Sequence, residues 1–214
     1  MYRYDWIARP EQVGDQTFDL VALRDFEAAV TELLDHVLAG GDRAWFEDRC
    51  PMFGVVWPSA RALAARLAAE ELAGLRLLEL GCGLGLPSLV AARRGAHVVA
   101  TDQHPDAAER LADNARRNGV ALRFCAFDWR GEIPPDVPER GFDRVVASDV
   151  LYAPDQPAAV AAAFDRFLAP SGRGLLADPG RPWLQAFADA ARDRGLRVEV
   201  DVALDAFVLE VRRG

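Results

Sequence analysis

Glu79 stands two residues ahead of a turn that carries three glycines, Gly81, Gly83 and Gly85, in the stretch ELGCGLGLPS. Two further carboxylates follow at comparable places: Asp102 closes the apolar run HVVATD, and Asp128, with Trp129 beside it, follows LRFCAF. Glycines so spaced after a strand let a backbone pass close beneath a ligand, and a dinucleotide, a phosphate or another nucleotide-like cofactor would each use them. A tight turn with no ligand would use them too.

The neighbours of the turn discriminate. In a GxGxxG dinucleotide fingerprint the third glycine permits close helix packing, and here that position is Leu86. A carboxylate at Glu79 would repel a pyrophosphate and suits a ligand amine. Asp102, about 20 residues on, is placed to accept hydrogen bonds from ribose hydroxyls, which serves NAD and S-adenosylmethionine equally. S-adenosylmethionine has an α-amino group and no phosphate, so Glu79 favours it. Asp128 is placed to meet an adenine amino group, and the Trp129 ring to cover its face.

These residues act together only if the runs carrying them lie side by side. From Leu75 onward, short apolar runs (75–80, 97–102, 122–127, 143–149 and 174–179) alternate with alanine-rich segments of helical period. Continuous apolar strands joined by helices predict a parallel sheet covered on both faces, with the ligand at its carboxyl edge. Gly95, Gly119, Gly172 and Gly195 fall where the helices should end. The tail, GLRVEVDVALDAFVLEVRRG, reads as strands over about 196–202 and 205–212, joined by too few residues for a parallel crossover. The fold class is therefore α/β: a Rossmann-like, doubly wound, mostly parallel sheet of seven strands that ends in an antiparallel hairpin. Upstream, amphipathic helices are expected over 24–39 and 60–73, the second capped by Ser59, and a short hairpin within 1–22.

Taken together, LLELGCGLGLPSL, VVATD and the terminal hairpin resemble the class I S-adenosylmethionine-dependent methyltransferases, over roughly residues 54–212. GVVWPSARALAARL before the first strand and ASDVLY after the fourth are similar to the non-SET protein-lysine methyltransferases, the nicotinamide methyltransferase-like group. ADPGRPWL looks most like the branch that modifies the electron transfer flavoprotein beta subunit. The resemblance implies a cofactor set of Trp57, Glu79, Gly81, Gly83, Asp102, Gln103, Asp128, Trp129 and Ser148, no metal, and S-adenosyl-L-homocysteine as product. It assigns Asp149 and Tyr152 to the lysine channel as the catalytic pair. Because Asp149 would attract an ammonium but also stabilise it, its expected part is binding and orientation, with Tyr152 positioning the amine. An N/D-P-P-Y element, which grips planar nitrogens of bases or glutamine, is replaced by Ser148-Asp149-Val150-Leu151-Tyr152.

Composition sets the partners. A formal charge of −8 and a pI of about 5.0 lack the footprint of a nucleic-acid binder and suit a lysine-bearing protein segment. All 25 basic side chains are arginine, a pattern of codon bias that suggests a bacterial source. Cys50, Cys82 and Cys125 show no zinc spacing and no disulfide framework, which suggests a reducing cytoplasm. Cys82 lacks a histidine placed to activate it, and His36, His97 and His104 carry no assigned role. Residues 1–50 are expected to form an N-terminal extension, a possible substrate cap, and 51–214 the methyltransferase domain of a monomer acting away from nucleic acid and membranes. Other readings are a small-molecule N-methyltransferase, a non-catalytic cofactor-binding protein and an NAD-dependent oxidoreductase.

Overall fold

In the computed structural model, residues 4–40, 49–135, 137–203 and 206–214 are described. A hairpin of β1 (Trp6–Val13) and β2 (Gln16–Leu23) turns at Gly14 and leads into α1 (Phe26–Leu38). After a short 3-10 turn at Met52–Gly54 come α2 (Pro58–Ala68), β3 (Arg76–Leu80), α3 (Leu86–Arg93), β4 (His97–Asp102), α4 (Ala107–Arg117) and β5 (Arg123–Ala126). The second half is β6 (Phe142–Ser148), α5 (Gln156–Phe167), β7 (Leu168–Asp178), α6 (Leu184–Arg192), β8 (Leu196–Ala203) and β9 (Ala206–Arg213).

Seven strands form one sheet in the order β5-β4-β3-β6-β7-β9-β8. Neighbours from β5 to β7 are parallel, while β9 runs antiparallel to both β7 and β8. The order reverses direction between β3 and β6, which puts the carboxyl ends of β3, β4, β5 and β6 around the point where open α/β sheets bind ligands.

The central strands β3, β6 and β7 carry unbroken apolar runs because both of their faces are covered. Leu78, Val145 and Leu176 point to one core with Val160, Phe164 and Phe167 of α5 and Phe187 of α6. Their neighbours Leu77, Val146 and Leu175 point to the other, with Leu63 and Leu67 of α2 and Leu89 and Val90 of α3. Val13, Phe18 and Leu20 of the hairpin join this second core. Side-chain amides fasten the hairpin: Asn114 Oδ1 accepts from the Val21 amide at 2.7 Å, and Asn118 Oδ1 from the Asp19 amide at 3.0 Å.

Three local expectations are corrected. Ser59 is no N-cap: Trp57 holds that position, Pro58 opens the helix with its fixed φ, and the Ser59 hydroxyl is buried without a partner. α2 stops at Ala68 instead of 73, where Glu70 is drawn among Arg66, Arg144 and Arg173. Gly172 ends no helix, because α5 passes straight into β7, and a Cβ there would lie 2.8 Å from the Phe142 carbonyl oxygen. Gly95, Gly119 and Gly195 do follow helix ends with positive φ.

Candidate active site

The glycine turn has no side chain of its own to cap α3, since its N-cap is Gly85. Glu79 supplies that cap from inside β3: its Oε2 accepts the Ser88 amide at 3.0 Å and the Ser88 hydroxyl. The carboxylate is wholly buried, and Oε1 has no hydrogen-bond partner. Burial pushes the Glu79 carboxyl up to about 8 against the pull of the Ser88 donors, and the nearby Asp102 charge adds to the rise. An unpaired buried oxygen of Glu79 with the Asp102 carboxylate nearby suits a cation, as the α-ammonium of S-adenosylmethionine is. The thiol of Cys82 is driven well up by burial and by Asp102 and Glu79, which disfavours the thiolate.

The turn is tight because the protein packs against it on both sides. Gly81 and Gly83 have φ of 67° and 52°. A Cβ at Gly81 would meet Val150 Cγ1 at 3.0 Å and the Trp129 ring at 3.4 Å; one at Gly83 would meet the Phe53 carbonyl oxygen at 3.1 Å. Asp102 braces the turn from β4, with Oδ2 accepting the Gly83 amide and Oδ1 the His104 amide, each at 2.9 Å. Asn114, which holds the hairpin, also donates to the Leu84 carbonyl at 3.0 Å, so one side chain ties hairpin and turn together.

Beyond β5 the sequence reading misses a residue. Arg130 ion-pairs with Asp128 at 2.9 Å and with Asp155 at 3.1 Å, and donates to Gln103 Oε1 at 3.3 Å. The hydrogen bonds from Arg130 hold the Asp128 carboxyl below the usual carboxylate range. Asp128 thus arrives at the carboxyl edge already paired. The Trp129 indole N–H is buried without a partner.

Trp57 is placed differently from the other cofactor candidates. Its indole donates to the Met52 carbonyl at 2.9 Å and meets Phe26 edge-on at 5.5 Å. Phe53 meets the turn through its backbone at Gly83, while its ring stacks on His104 with centroids 4.0 Å apart and packs with Tyr4 and Trp6. Burial lowers the His104 pKa, against the pull of Asp106 and Asp102.

At the end of β6, Ser148 is buried and Asp149 adopts φ 59°, a left-handed value no other non-glycine residue has among those described. Asp149 Oδ1 pairs with Arg181 at 2.6 Å, and Oδ2 is buried with no hydrogen-bond partner. Tyr152, three residues on, is 57% exposed. Glu79, Gly81, Gly83, Asp102, Gln103, Asp128, Trp129, Ser148, Asp149 and Tyr152 therefore all lie along one sheet edge. Among the described residues no group of three or more His, Cys, Asp or Glu side chains is placed to hold a metal ion. A cavity of about 300 Å³ lined by Arg66, Leu175, Glu199, Val200, Asp201, Val208 and Glu210 borders none of these candidates.

Seven strands in this order, with the penultimate one in the sheet antiparallel and an acidic residue ahead of a glycine turn, define a class I methyltransferase fold. A family model for a methyltransferase domain matches residues 77–172. The protein N-terminal and lysine N-methyltransferase EFM7 of Eremothecium gossypii is 32% identical over 178 residues, 70% of this chain and 66% of that protein. The protein N-lysine methyltransferase METTL21A of Danio rerio is 34% identical over 111 residues, 49% of this chain and 50% of its own length. The fold matches the Thermus thermophilus 16S rRNA N2 G1207 methyltransferase RsmC, solved with AdoMet and guanosine, at a TM-score of 0.70 and 20% identity, over 98% of this chain and 51% of that one. The chain thus spans between half and two thirds of the length of these proteins. It belongs to the class I S-adenosylmethionine-dependent methyltransferases, whose cofactor is S-adenosyl-L-methionine.

Proposed function

We propose that the chain methylates lysine side chains of a protein substrate, working as a monomer in a bacterial cytoplasm without nucleic acid or membrane. The observation that carries the acceptor is Asp149: a buried carboxylate on a left-handed backbone at the sheet edge, with one oxygen unpaired and Tyr152 exposed beside it. An N–H of a lysine amine satisfies such an oxygen. The names of two relatives, which are lysine methyltransferases, support the same acceptor. Arginine as the sole base supports the source, and no helix among the described residues is long and apolar enough to cross a membrane.

In this reading Glu79 Oε1 takes the ligand's ammonium, Gly81 and Gly83 let it approach, and Asp102 and Gln103 serve the ribose. Asp128 and Trp129 flank the adenine, and Ser148 and Trp57 complete the wall. The cofactor supplies a methyl group on a sulfonium, a good leaving group, so alignment and exclusion of water provide most of the acceleration. The acceptor must present a lone pair, and neutral lysine at pH 7 costs roughly 4 to 5 kcal/mol. Asp149 and Tyr152 orient the amine, and its proton leaves to water. Residues 1–50 serve as a cap that selects the substrate, and 51–214 carry the transfer.

The test is incubation with methyl-labelled donor and a bacterial lysate lacking this protein. The chain contains no lysine, so label on lysine cannot come from the enzyme itself. Label in a discrete protein band supports the proposal; label confined to small molecules, or none, refutes it.

A further inference from the structure

We infer that Arg181 is a positioning residue that acts through Asp149, setting how readily the acceptor amine loses its proton; this rests on the lysine reading above. Arg181 is held at both ends. Its amide donates to Asp178 Oδ1 at 2.7 Å, alongside the Gly180 amide at 2.8 Å, and its Nη1 lies 3.2 Å from Asp178 Oδ2 and 2.6 Å from Asp149 Oδ1. Asp178 is fully buried and Arg181 is largely covered. The guanidinium therefore cannot drift from Asp149 without leaving two buried carboxylates uncompensated.

The chemistry needs this. A lone carboxylate against the acceptor would hold it as ammonium and oppose transfer. With Oδ1 engaged by a fixed cation, the field of Asp149 is largely offset, while Oδ2 still accepts one N–H and sets the direction of the lone pair. Attraction and orientation are thereby separated from stabilisation of the charged amine. The charged and titratable groups around the pair can be named by element. They are Asp149 after β6, Asp178 at the end of β7, Arg181 after it, and Tyr152 and Asp155 before α5, Asp155 being engaged by Arg130. Glu79 and Asp102 come from β3 and β4 across the glycine turn. From β9, Phe207 packs against Gly180 and brings no charge.

Two readouts on Arg181→Gln, Arg181→Lys and Asp178→Asn test the inference. The first uses n-butylamine, an unreactive mimic of the lysine side chain, bound at pH 7 and followed by calorimetry. Arg181→Gln should bind it about tenfold more tightly than wild type, and Asp178→Asn more weakly. The second is the initial rate of label transfer into lysate protein from pH 6.5 to 10. The rising limb should move up by about one pH unit in Arg181→Gln and down by a similar amount in Asp178→Asn, while Arg181→Lys keeps its position whatever its rate. A merely structural Arg181 would lower the rate equally at every pH and leave amine affinity no higher, which overturns the inference. If Arg181→Gln does not fold, an unmoved limb in Asp178→Asn overturns it as well. Label in protein with unshifted limbs refutes Arg181 alone; no label in protein from wild type refutes the lysine reading beneath it.

Discussion

With the ligand's ammonium on Glu79, as proposed, binding of S-adenosylmethionine should release a proton. In the free protein burial holds its carboxyl at about 8, so at pH 7 about nine in ten molecules carry the proton there. An ammonium placed on Oε1 favours the carboxylate and drives the group back toward the ordinary range, so the proton leaves. Between pH 6 and 7, where the ligand's amine stays charged, binding should release about 0.9 to 1 proton, and affinity should rise about eight- to tenfold per pH unit. Calorimetric titration in two buffers of different ionisation enthalpy reads the proton number directly. Glu79→Gln, which can still accept from Ser88, should abolish both the release and the pH dependence. Wild-type binding with no proton release and a flat affinity over this range would refute the placement of the ammonium on Glu79.

The same group predicts a stability slope. A carboxyl raised in the folded state contributes stability that is fully present below its ordinary value near 4.5 and is lost as pH rises to about 8. The Tm advantage of Glu79→Gln over wild type without ligand should therefore grow from pH 5 to 8 in thermal denaturation, and a constant difference would count against it. Gly83→Ala places a side chain at φ 52° with its Cβ 3.1 Å from the Phe53 carbonyl oxygen; a left-handed residue costs about 1 to 2 kcal/mol, so Tm should fall by roughly 2 to 8 °C. Asn114→Ala strips partners from the buried Val21 amide and Leu84 carbonyl. That loss of about 1 to 3 kcal/mol should lower Tm by roughly 2 to 12 °C and raise the S-adenosylmethionine Kd through the turn, as calorimetry would show.

The sheet was legible because each of its strands reports on its own. Leu77 and Leu78, or Val145 and Val146, face opposite cores, so an unbroken apolar run marks a strand buried on both sides. Asp102 and Asp149 are legible as residues that end such runs, and Glu79 as a carboxylate one residue before the end of its own. What those side chains do was only half visible. Glu79 was read as a ligand group, yet one of its oxygens caps α3, because Gly85 brings no cap of its own. Arg130 reaches Asp155 across 25 positions and Arg181 reaches Asp149 across 32. ADPGR marks Asp178 and Arg181 as residues that shape the channel or turn a strand into a helix, but nothing local signals which carboxylates the arginines reach. Trp57 stands out in the sequence because it sits in the recognisable WPS stretch, whereas the contact of the Phe53 backbone with Gly83 depends on how the chain folds back over the turn. Ser59 and Gly172 show the converse, local rules overridden by Pro58 and by the direct passage of α5 into β7.

The most direct test of the account is the chemical form of the transferred methyl group. Protein labelled in the lysate by wild-type enzyme, hydrolysed to amino acids and separated, should yield its label as N-methylated lysine, with the yield falling at least tenfold in Asp149→Asn while S-adenosylmethionine still binds. Label recovered on another amino acid, or on lysine with Asp149→Asn as active as wild type, would contradict it.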